Sequence, residues 1–317
     1  MKQAVMVILS ALLVLTVCGS AMAKKKVLYI DSYHQGYAWS DGITEGVREA
    51  LKGKDVDLKV IRMDTKRNAS EAFIQQAAIK AKAEIEAFEP DVVIASDDNA
   101  SKYLIMPYYR DAALPFVFCG LNWDEKVYGL PYKNVTGMVE VTPVPQLIGQ
   151  LKPLAKGSRI GFLAPDTITS RKEATQYNEI FGMNTTDYYA KNYEDWKKGF
   201  VEIQKKVDIL IIASDGGLYN DHRPEYEAFV LANTKIPTGS CYDFMAPVAI
   251  LNYAKVAAEQ GYWGATAALK ILDGTPPSAI PIVKNKEGKL IVNVKIAEAS
   301  GIGIPYEVIE SADEIIR

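Results

Sequence analysis

The sequence is poor in cysteine and histidine. Its 317 residues include three Cys and two His, and Cys18 lies in the N-terminal leader described below. The remaining Cys119 and Cys241 are too few for the disulfide framework of a small secreted domain, so each is expected to be a small buried hydrophobic side chain. The His and Cys residues also lack the spacing of zinc ligands. We therefore expect no metal and no cofactor.

Neither sign of charge dominates the chain. Lys and Arg number 36, Asp and Glu number 39, and the formal net charge is −3. Because nucleic-acid-binding proteins usually carry a strongly basic surface, we expect no nucleic-acid partner. Hydrophobic residues at 49% and charged residues at 24% are typical of a folded globular protein rather than a disordered one. At roughly 150 residues per domain, the length favours two domains.

Long hydrophobic runs are absent apart from one at residues 5–17, and that run is too short to span a bilayer comfortably. Lys2 precedes it and the sequence AMA at 21–23 follows it, which is the arrangement of a cleavable secretory signal. We expect cleavage after Ala23 and a periplasmic or otherwise extracytoplasmic protein. Cys18 leaves open a lipid-anchored form, although the residue before it is larger than lipoprotein signals favour.

The body of the chain alternates short apolar runs with longer helical patterns. A strand-like run at 27–30 is followed by a helical pattern that Ser40 can cap, and a second strand at 58–63 precedes a helix capped by Ser70. Strands with apolar residues on both faces, separated by helices, predict an α/β fold with parallel sheets covered on both sides.

An internal repeat is the most informative feature. The sequence DVVIASD at 91–97 is nearly repeated as DILIIASD at 208–215, and LPFVFC at 114–119 corresponds to IPTGSC at 236–241. Two correspondences in the same order predict two Rossmann-like lobes whose strand ends face each other across a ligand cleft. We place the N-terminal lobe at 24–140 plus about 253–282, and the C-terminal lobe at 141–252 plus about 283–317.

Segments along the chain resemble the extracytoplasmic substrate-binding proteins of a class of ABC transporters. The resemblance covers nearly the whole chain after the leader and is carried by IDSYHQGYAWS at 30–40, ASDDN at 95–99, FCG at 118–120, NVTG at 134–137, ALKILDG at 268–274, GIP at 303–305 and SADEII at 311–316. It implies a two-lobed fold like that of type I periplasmic binding proteins, which closes around a small solute. Several members of the family take aromatic amino acids.

The resemblance also implies a function. We expect an exported monomer that captures a small organic ligand, such as an aromatic amino acid or a relative, for an ABC permease. The segment SYHQG at 32–36 is especially similar to sensory modules of bacterial histidine kinases, so a free-standing sensory protein that presents its ligand to a membrane kinase is the alternative. A periplasmic enzyme is a third, but the sequence contains no nucleophile elbow and no phosphate-binding glycine loop. We therefore expect no catalysis.

Candidate ligand-binding residues follow from the strand ends. After the first strand come Ser32, Tyr33, His34 and Trp39, which offer ring surfaces and polar donors to a planar or amphipathic ligand. Trp39 has an alternative role as a hydrophobic staple for the helix that starts near Ser40.

A second group of candidates follows the repeated strand. Ser96, Asp97 and Asn99 come after the first copy, and Asp215 comes after the second, ahead of two glycines. Asp97 or Asp215 is expected to bind a ligand ammonium while helix-end amides of the other lobe take a carboxylate. The alternative is that one acid of the first copy only caps the next helix. Further candidates at strand ends are Asn122, Glu140, Thr167 and Tyr242.

Overall fold

The protein contains two sheets of the same plan. The computed structural model describes residues 24–68, 70–214 and 223–317. The strands of the first sheet, all parallel, lie in the order β11-β5-β4-β3-β1-β2, with bounds β1 Lys25–Asp31, β2 Val56–Arg62, β3 Val92–Ser96, β4 Phe116–Asn122, β5 Val135–Glu140 and β11 Val283–Lys284.

The second sheet repeats that order and adds one edge strand, as β13-β12-β10-β9-β8-β6-β7. The pairing of β10 with β12 is antiparallel and the other pairs are parallel. Its strands are β6 Ile160–Pro165, β7 Thr186–Ala190, β8 Ile209–Ile212, β9 Thr238–Ser240, β10 Leu251–Lys255, β12 Gly288–Asn293 and β13 Glu314–Ile316.

Helices cover both sheets. The α-helices are α1 Ala38–Leu51, α2 Glu71–Phe88, α3 Asp97–Ala100, α4 Met106–Tyr108, α5 Val144–Leu151, α6 Ile168–Phe181, α7 Tyr193–Ile203, α8 Arg223–Asn233, α9 Ala257–Leu272, α10 Val294–Ser300 and α11 Tyr306–Glu310. A π-helical turn at Ser101–Ile105 joins α3 to α4, and 3₁₀ turns occupy Glu125–Tyr128, Lys152–Leu154, Asp243–Val248 and Pro277–Ala279. Within the described ranges, no helix is both long and apolar enough to cross a bilayer.

The predicted α/β fold with two parallel-dominated sheets is confirmed. The central strands β3 and β8 are buried along their whole length, as expected when helices pack on both faces of a parallel sheet. The internal repeat has a structural counterpart, since β3 and β4 of the first sheet correspond in order to β8 and β9 of the second. Cys119 and Cys241 are buried and are not bonded to each other.

Two predicted helix caps have different outcomes. Ser70 caps α2 as predicted, and its hydroxyl accepts a hydrogen bond from the Phe73 amide. The prediction that Ser40 caps α1 is wrong, because α1 begins at Ala38 and Ser40 lies inside it. The Ser40 hydroxyl instead donates to Oδ1 of the buried Asp31 at 2.9 Å, so this side chain ties α1 to the end of β1.

The chain changes sheet at three adjacent places. The strands pass from the first sheet to the second after Glu140, return after Lys255, and pass to the second again between Lys284 and Gly288. The division of the chain into folding lobes stays a prediction. Because parallel strands end at one edge of each sheet, the carboxyl ends of both sheets border the space between them.

Close packing of α1 on α9 brings two helix starts to that space. Gly46 lies against the Ala258 carbonyl and Gly261 lies against the Ile43 carbonyl, so closely that a Cβ at either glycine would overlap the facing backbone. Glycine thus permits the two helix axes to approach. As a result, Trp39 at the start of α1 and the segment before α9 are side by side.

Candidate functional site

A cavity of about 570 Å³ lies between the carboxyl ends of the two sheets. Its volume is within the range of small-molecule binding sites. Six of the predicted ligand-binding residues line it: Tyr33, Trp39, Asp97, Asn122, Glu140 and Tyr242. They come from both sheets, as the repeat predicted, since Tyr242 follows β9 and the other five belong to the first sheet and its helices.

Asp97 is a buried acid at the edge of the cavity. Its side chain is buried, with a residue exposure of 1%, and its Oδ1 accepts a hydrogen bond from the Trp39 indole nitrogen at 3.2 Å. Its Oδ2 has no hydrogen-bond partner among the described residues. Burial, together with the nearby Glu140 charge, raises the pKa of Asp97 well above its usual value, and the Ser96 hydroxyl only partly opposes this. A cationic ligand group would donate a hydrogen bond to Asp97 Oδ2 and would provide a positive charge that favours the ionised carboxylate.

The backbone explains how Asp97 reaches the cavity. β3 ends at Ser96 and α3 begins at once, with Asp97 in the left-handed region at φ 69°. Aspartate tolerates that region better than most residues, and non-glycine residues held there concentrate at functional sites. Gly120 beside it, at φ 66°, leaves room for the carboxyl, because a Cβ at this position would lie 3.1 Å from Asp97 Oδ1.

An ion pair joins the two sheets at the base of the cavity. Glu140 at the end of β5 pairs with Lys255 at the end of β10, where the chain changes sheet. The Lys255 ammonium also lies 5.2 Å from the centre of the Trp39 ring. Burial raises the pKa of Glu140, which Lys255 opposes. Burial alone would lower the pKa of Lys255, but Glu140 raises it above its usual value, so the two charges stabilise each other.

Aromatic rings form the walls of the cavity. The first sheet contributes Tyr33 and Tyr37, whose rings pack edge to face at 5.6 Å between centroids. The second contributes Tyr242 and Phe244, at 5.5 Å. The Tyr242 hydroxyl donates to Glu173 Oε1 at 3.0 Å, so its polar end is engaged in the protein and its ring is left for the ligand. Such surfaces suit a planar or apolar ligand group.

Asn122 is held on the cavity wall by a polar network. Its Nδ2 donates to Asp98 Oδ2 at 2.5 Å, and the Tyr128 hydroxyl donates to the other oxygen of Asp98 at 2.7 Å. Asp98 therefore has partners for both oxygens, unlike Asp97 before it. Of the two adjacent acids, the structure leaves Asp97 with acceptor capacity for a ligand.

Five predicted residues lie outside the cavity lining and hold neighbouring loops. Ser32 donates to the Ser96 carbonyl at 2.5 Å and accepts from the Ala100 amide, and the Ser96 hydroxyl accepts from Tyr29. Asn99 donates to the Thr65 hydroxyl. The remaining two are His34, 3.8 Å from the Asp64 carboxylate, and Thr167, which caps α6 through the Ser170 amide. Asp215 lies outside the described residues.

Several residues that line the cavity were not predicted from the sequence, among them Lys66, Lys255 and Phe244. Lys66 follows β2 and Lys255 is the last residue of β10. Both therefore obey the same rule that selected Asp97, namely that residues at the carboxyl ends of parallel strands border the cleft. Extending that rule to every strand, and to lysine, would have found them.

Comparison with known proteins supports the fold and identifies the family. The sequence profile of the ABC transporter substrate binding protein family matches residues 38–316. The ligand-free, open structure of a substrate-binding protein with adhesive properties from Clostridium difficile has a TM-score of 0.72 at 19% identity, over 92% of this chain and 99% of that one. A comparison with curated protein sequences gives no match.

Two further solved structures share the fold. The ABC domain from Streptococcus pneumoniae in complex with L-Trp has a TM-score of 0.58 at 20% identity, over 92% of this chain and 100% of that one. The periplasmic ribose ABC transporter from Conexibacter woesei has a TM-score of 0.55 at 17% identity, over 92% and 100%. At these identities the structures establish a common fold and leave the ligand to be argued from the site. Because the family profile matches most of its length, the chain belongs to the ABC transporter substrate-binding protein family.

Proposed function

We propose that this chain is an exported binding protein that captures a small organic ligand with a cationic amine and a planar apolar part, such as an aromatic amino acid, for an ABC importer. In this role it acts as a monomer, outside the cytoplasm, and releases its ligand chemically unchanged. The observation that carries the proposal is Asp97 Oδ2, which has no hydrogen-bond partner in the described part of the chain and is buried at the end of β3 in a cavity with aromatic walls.

The buried carboxylate of Asp97 favours a ligand with a positive charge. A buried carboxylate with an unsatisfied oxygen is costly, and a ligand that supplies a charged donor removes that cost. The two other acids among the described lining residues differ, because Glu140 already pairs with Lys255 and Asp243 is exposed beside Phe244. A ligand ammonium therefore gains most at Asp97. A hydrogen bond of this charged type contributes about 1.5–3 kcal/mol.

The planar part of the ligand can pack against aromatic side chains on both sides of the cleft. Tyr33 and Trp39 line it from the first sheet, and Tyr242 and Phe244 line it from the second. The presence of L-Trp in the Streptococcus pneumoniae structure of the same fold supports this ligand class. Because its contacts would come from both sheets, the ligand would favour closure of the cleft through a higher affinity for the closed state.

Calorimetry with a matched control tests the proposal. The ligand is identified by native mass spectrometry of protein released without denaturation, and it is then titrated into the parent, Asp97→Asn and Asp57→Asn. Asp57 is an exposed carboxylate on β2, away from the cavity. We expect Asp97→Asn to weaken binding about 10- to 150-fold and Asp57→Asn to bind as the parent does.

Three results would contradict the proposal. A co-purified ligand without a cationic group would remove its basis, as would an Asp97→Asn variant that binds like the parent. Conversion of the ligand to a product by the purified protein would show that the protein is an enzyme. The importer role has its own test, because cells that lack this chain should lose uptake of the radiolabelled ligand, and unchanged uptake would contradict delivery to an importer.

A further inference from the structure

Lys66 is a second charged group of the cavity. It follows β2, lines the cavity and is exposed to solvent. Its ammonium lies 5.0 Å from the centre of the Tyr33 ring and 5.1 Å from that of Tyr37, a cation–π arrangement with two faces. Lys66 makes no ion pair with any carboxylate of the described residues.

The loop that carries Lys66 is fixed to the end of β1. The Asp64 amide donates to the Tyr33 carbonyl at 2.8 Å, and the Thr65 amide donates to the Ser32 carbonyl at 3.0 Å. The Thr65 hydroxyl also donates to that Ser32 carbonyl at 2.6 Å. These bonds hold the base of the Lys66 side chain beside the cavity before any ligand arrives, which lowers the entropic cost of using it.

The two lysines of the cavity differ in what they can still bind. The Lys255 ammonium is already paired with Glu140, whereas among the described residues Lys66 lies against the rings of Tyr33 and Tyr37. The charge of Lys66 reaches the cavity interior, since it helps to lower the pKa of Glu140. Among the described residues that line the cavity, Asp97 thus keeps an oxygen without a hydrogen-bond partner, and Lys66 has no carboxylate partner. A ligand with charges of both signs complements this pair.

We propose that Lys66 binds the anionic group of the ligand, so that the ligand is a zwitterion, an α-amino acid with its amino group on Asp97 and its carboxylate on Lys66. This inference rests on the proposed function and adds the second charged contact. Both charged contacts belong to the first sheet and its loops, whereas Tyr242 and Phe244 follow the second sheet. The first lobe recognises the charged head, and the second closes over the planar part.

Pairs of probe ligands measure how much the carboxylate contributes to binding. L-tryptophan, L-tyrosine and L-phenylalanine are each compared with the amine that lacks only the carboxylate, namely tryptamine, tyramine and phenethylamine. Calorimetric titrations use the parent, Lys66→Gln, Lys66→Arg and the control Lys54→Gln, an exposed lysine between α1 and β2. Circular dichroism melts verify that each variant is folded.

We expect a ligand-specific loss at Lys66. Lys66→Gln should weaken the best-binding amino acid about 5- to 50-fold, the scale of a charged contact that solvent partly screens, and should not weaken its amine. For the parent protein, the amine should bind more weakly than its amino acid by a similar factor. Lys66→Arg should keep most of the affinity for the amino acid, and Lys54→Gln should keep all of it.

The outcomes distinguish failure of this inference from failure of the proposed function. If Lys66→Gln weakens amino acid and amine by the same factor, Lys66 acts by packing on Tyr33 and Tyr37, and the inference alone is overturned. An amine that binds the parent as tightly as its amino acid also overturns it alone. If the amines bind Asp97→Asn as they bind the parent, or if no probe binds the parent, the proposed function fails and this inference fails with it.

Discussion

The ion pair between Glu140 and Lys255 gives a prediction whose size follows from its burial. Glu140 has a side-chain exposure of 6% and Lys255 of 19%. Removing one partner of a fully buried pair costs about 3–5 kcal/mol, because the other charge is left buried and unpaired. With Lys255 still partly exposed, we expect Lys255→Met to lower the free energy of unfolding by about 3 kcal/mol at pH 7.

A double variant and a change of pH identify the cause of that loss. Glu140→Gln combined with Lys255→Met removes both charges and should recover about half of the loss. Without Lys255 the folded-state pKa of Glu140 rises further above its unfolded value. A group with a raised folded-state pKa contributes stability that is present below its unfolded pKa and is lost as pH rises through the folded value. The deficit of Lys255→Met should therefore be largest at pH 7 and nearly absent at pH 4.

Urea denaturation followed by tryptophan fluorescence measures these free energies, at pH 7 and pH 4, for the parent, Lys255→Met and the double variant. The slope of the unfolding free energy against urea concentration should be the same for all proteins of the set. An unchanged slope shows that each variant exposes the same surface area on unfolding. A Lys255→Met protein as stable as the parent at pH 7 would refute the reasoning. An equal deficit at both pH values would also refute it, because loss of packing does not depend on the protonation of Glu140.

Three further predictions concern the site and the leader. Gly120→Ala should lower the free energy of unfolding by about 1–2 kcal/mol and weaken the ligand, because its Cβ would lie 3.1 Å from Asp97 Oδ1 at a strained φ. The control Gly149→Ala, with nothing within 4 Å of its Cβ, should melt no earlier than the parent, and equal effects of the two would contradict this account. Since the free protein holds the pKa of Asp97 above its usual value and an ammonium favours the ionised form, ligand affinity should rise with pH, by at most about tenfold per unit, until Asp97 ionises. Calorimetry in two buffers of different ionisation enthalpy should show proton release on binding, which Asp97→Asn abolishes; proton uptake would be the contrary result. N-terminal sequencing of the exported protein should show cleavage after Ala23, whereas a lipid-modified start at Cys18 would show the other processing route.

The internal repeat made the architecture predictable. Two apolar runs that each lead into Ala-Ser-Asp, and that are each followed by a second matching strand, imply two sheets with corresponding strands. The strands β3 and β4 of the first sheet and β8 and β9 of the second occupy those places. The same argument selected Asp97 and Tyr242, because position at a strand end decides which residues border the cleft. These features follow from hydrophobic pattern and chain order, which a sequence displays directly.

The partners of individual polar groups were not predictable in the same way. Ser32 and Asn99 have the residue types and positions of ligand contacts, yet their side chains are satisfied by the Ser96 carbonyl and the Thr65 hydroxyl. Such bonds depend on loop geometry at the scale of an ångström, which no spacing reveals. Lys66 and Lys255 satisfy the strand-end rule, but lysine is usually a solvated surface residue, so their residue type argued against a site. In the structure Lys66 lies beside two aromatic rings and Lys255 is paired across the sheets.

A crystal structure of the protein with its co-purified ligand tests the central claim most directly. The account predicts an organic ligand between the two sheets, with a cationic nitrogen about 2.8 Å from Asp97 Oδ2 and a planar group against the rings of Trp39 or Tyr242. A ligand bound elsewhere, or one in this cavity that places an apolar atom or an anion against Asp97 Oδ2, would contradict it.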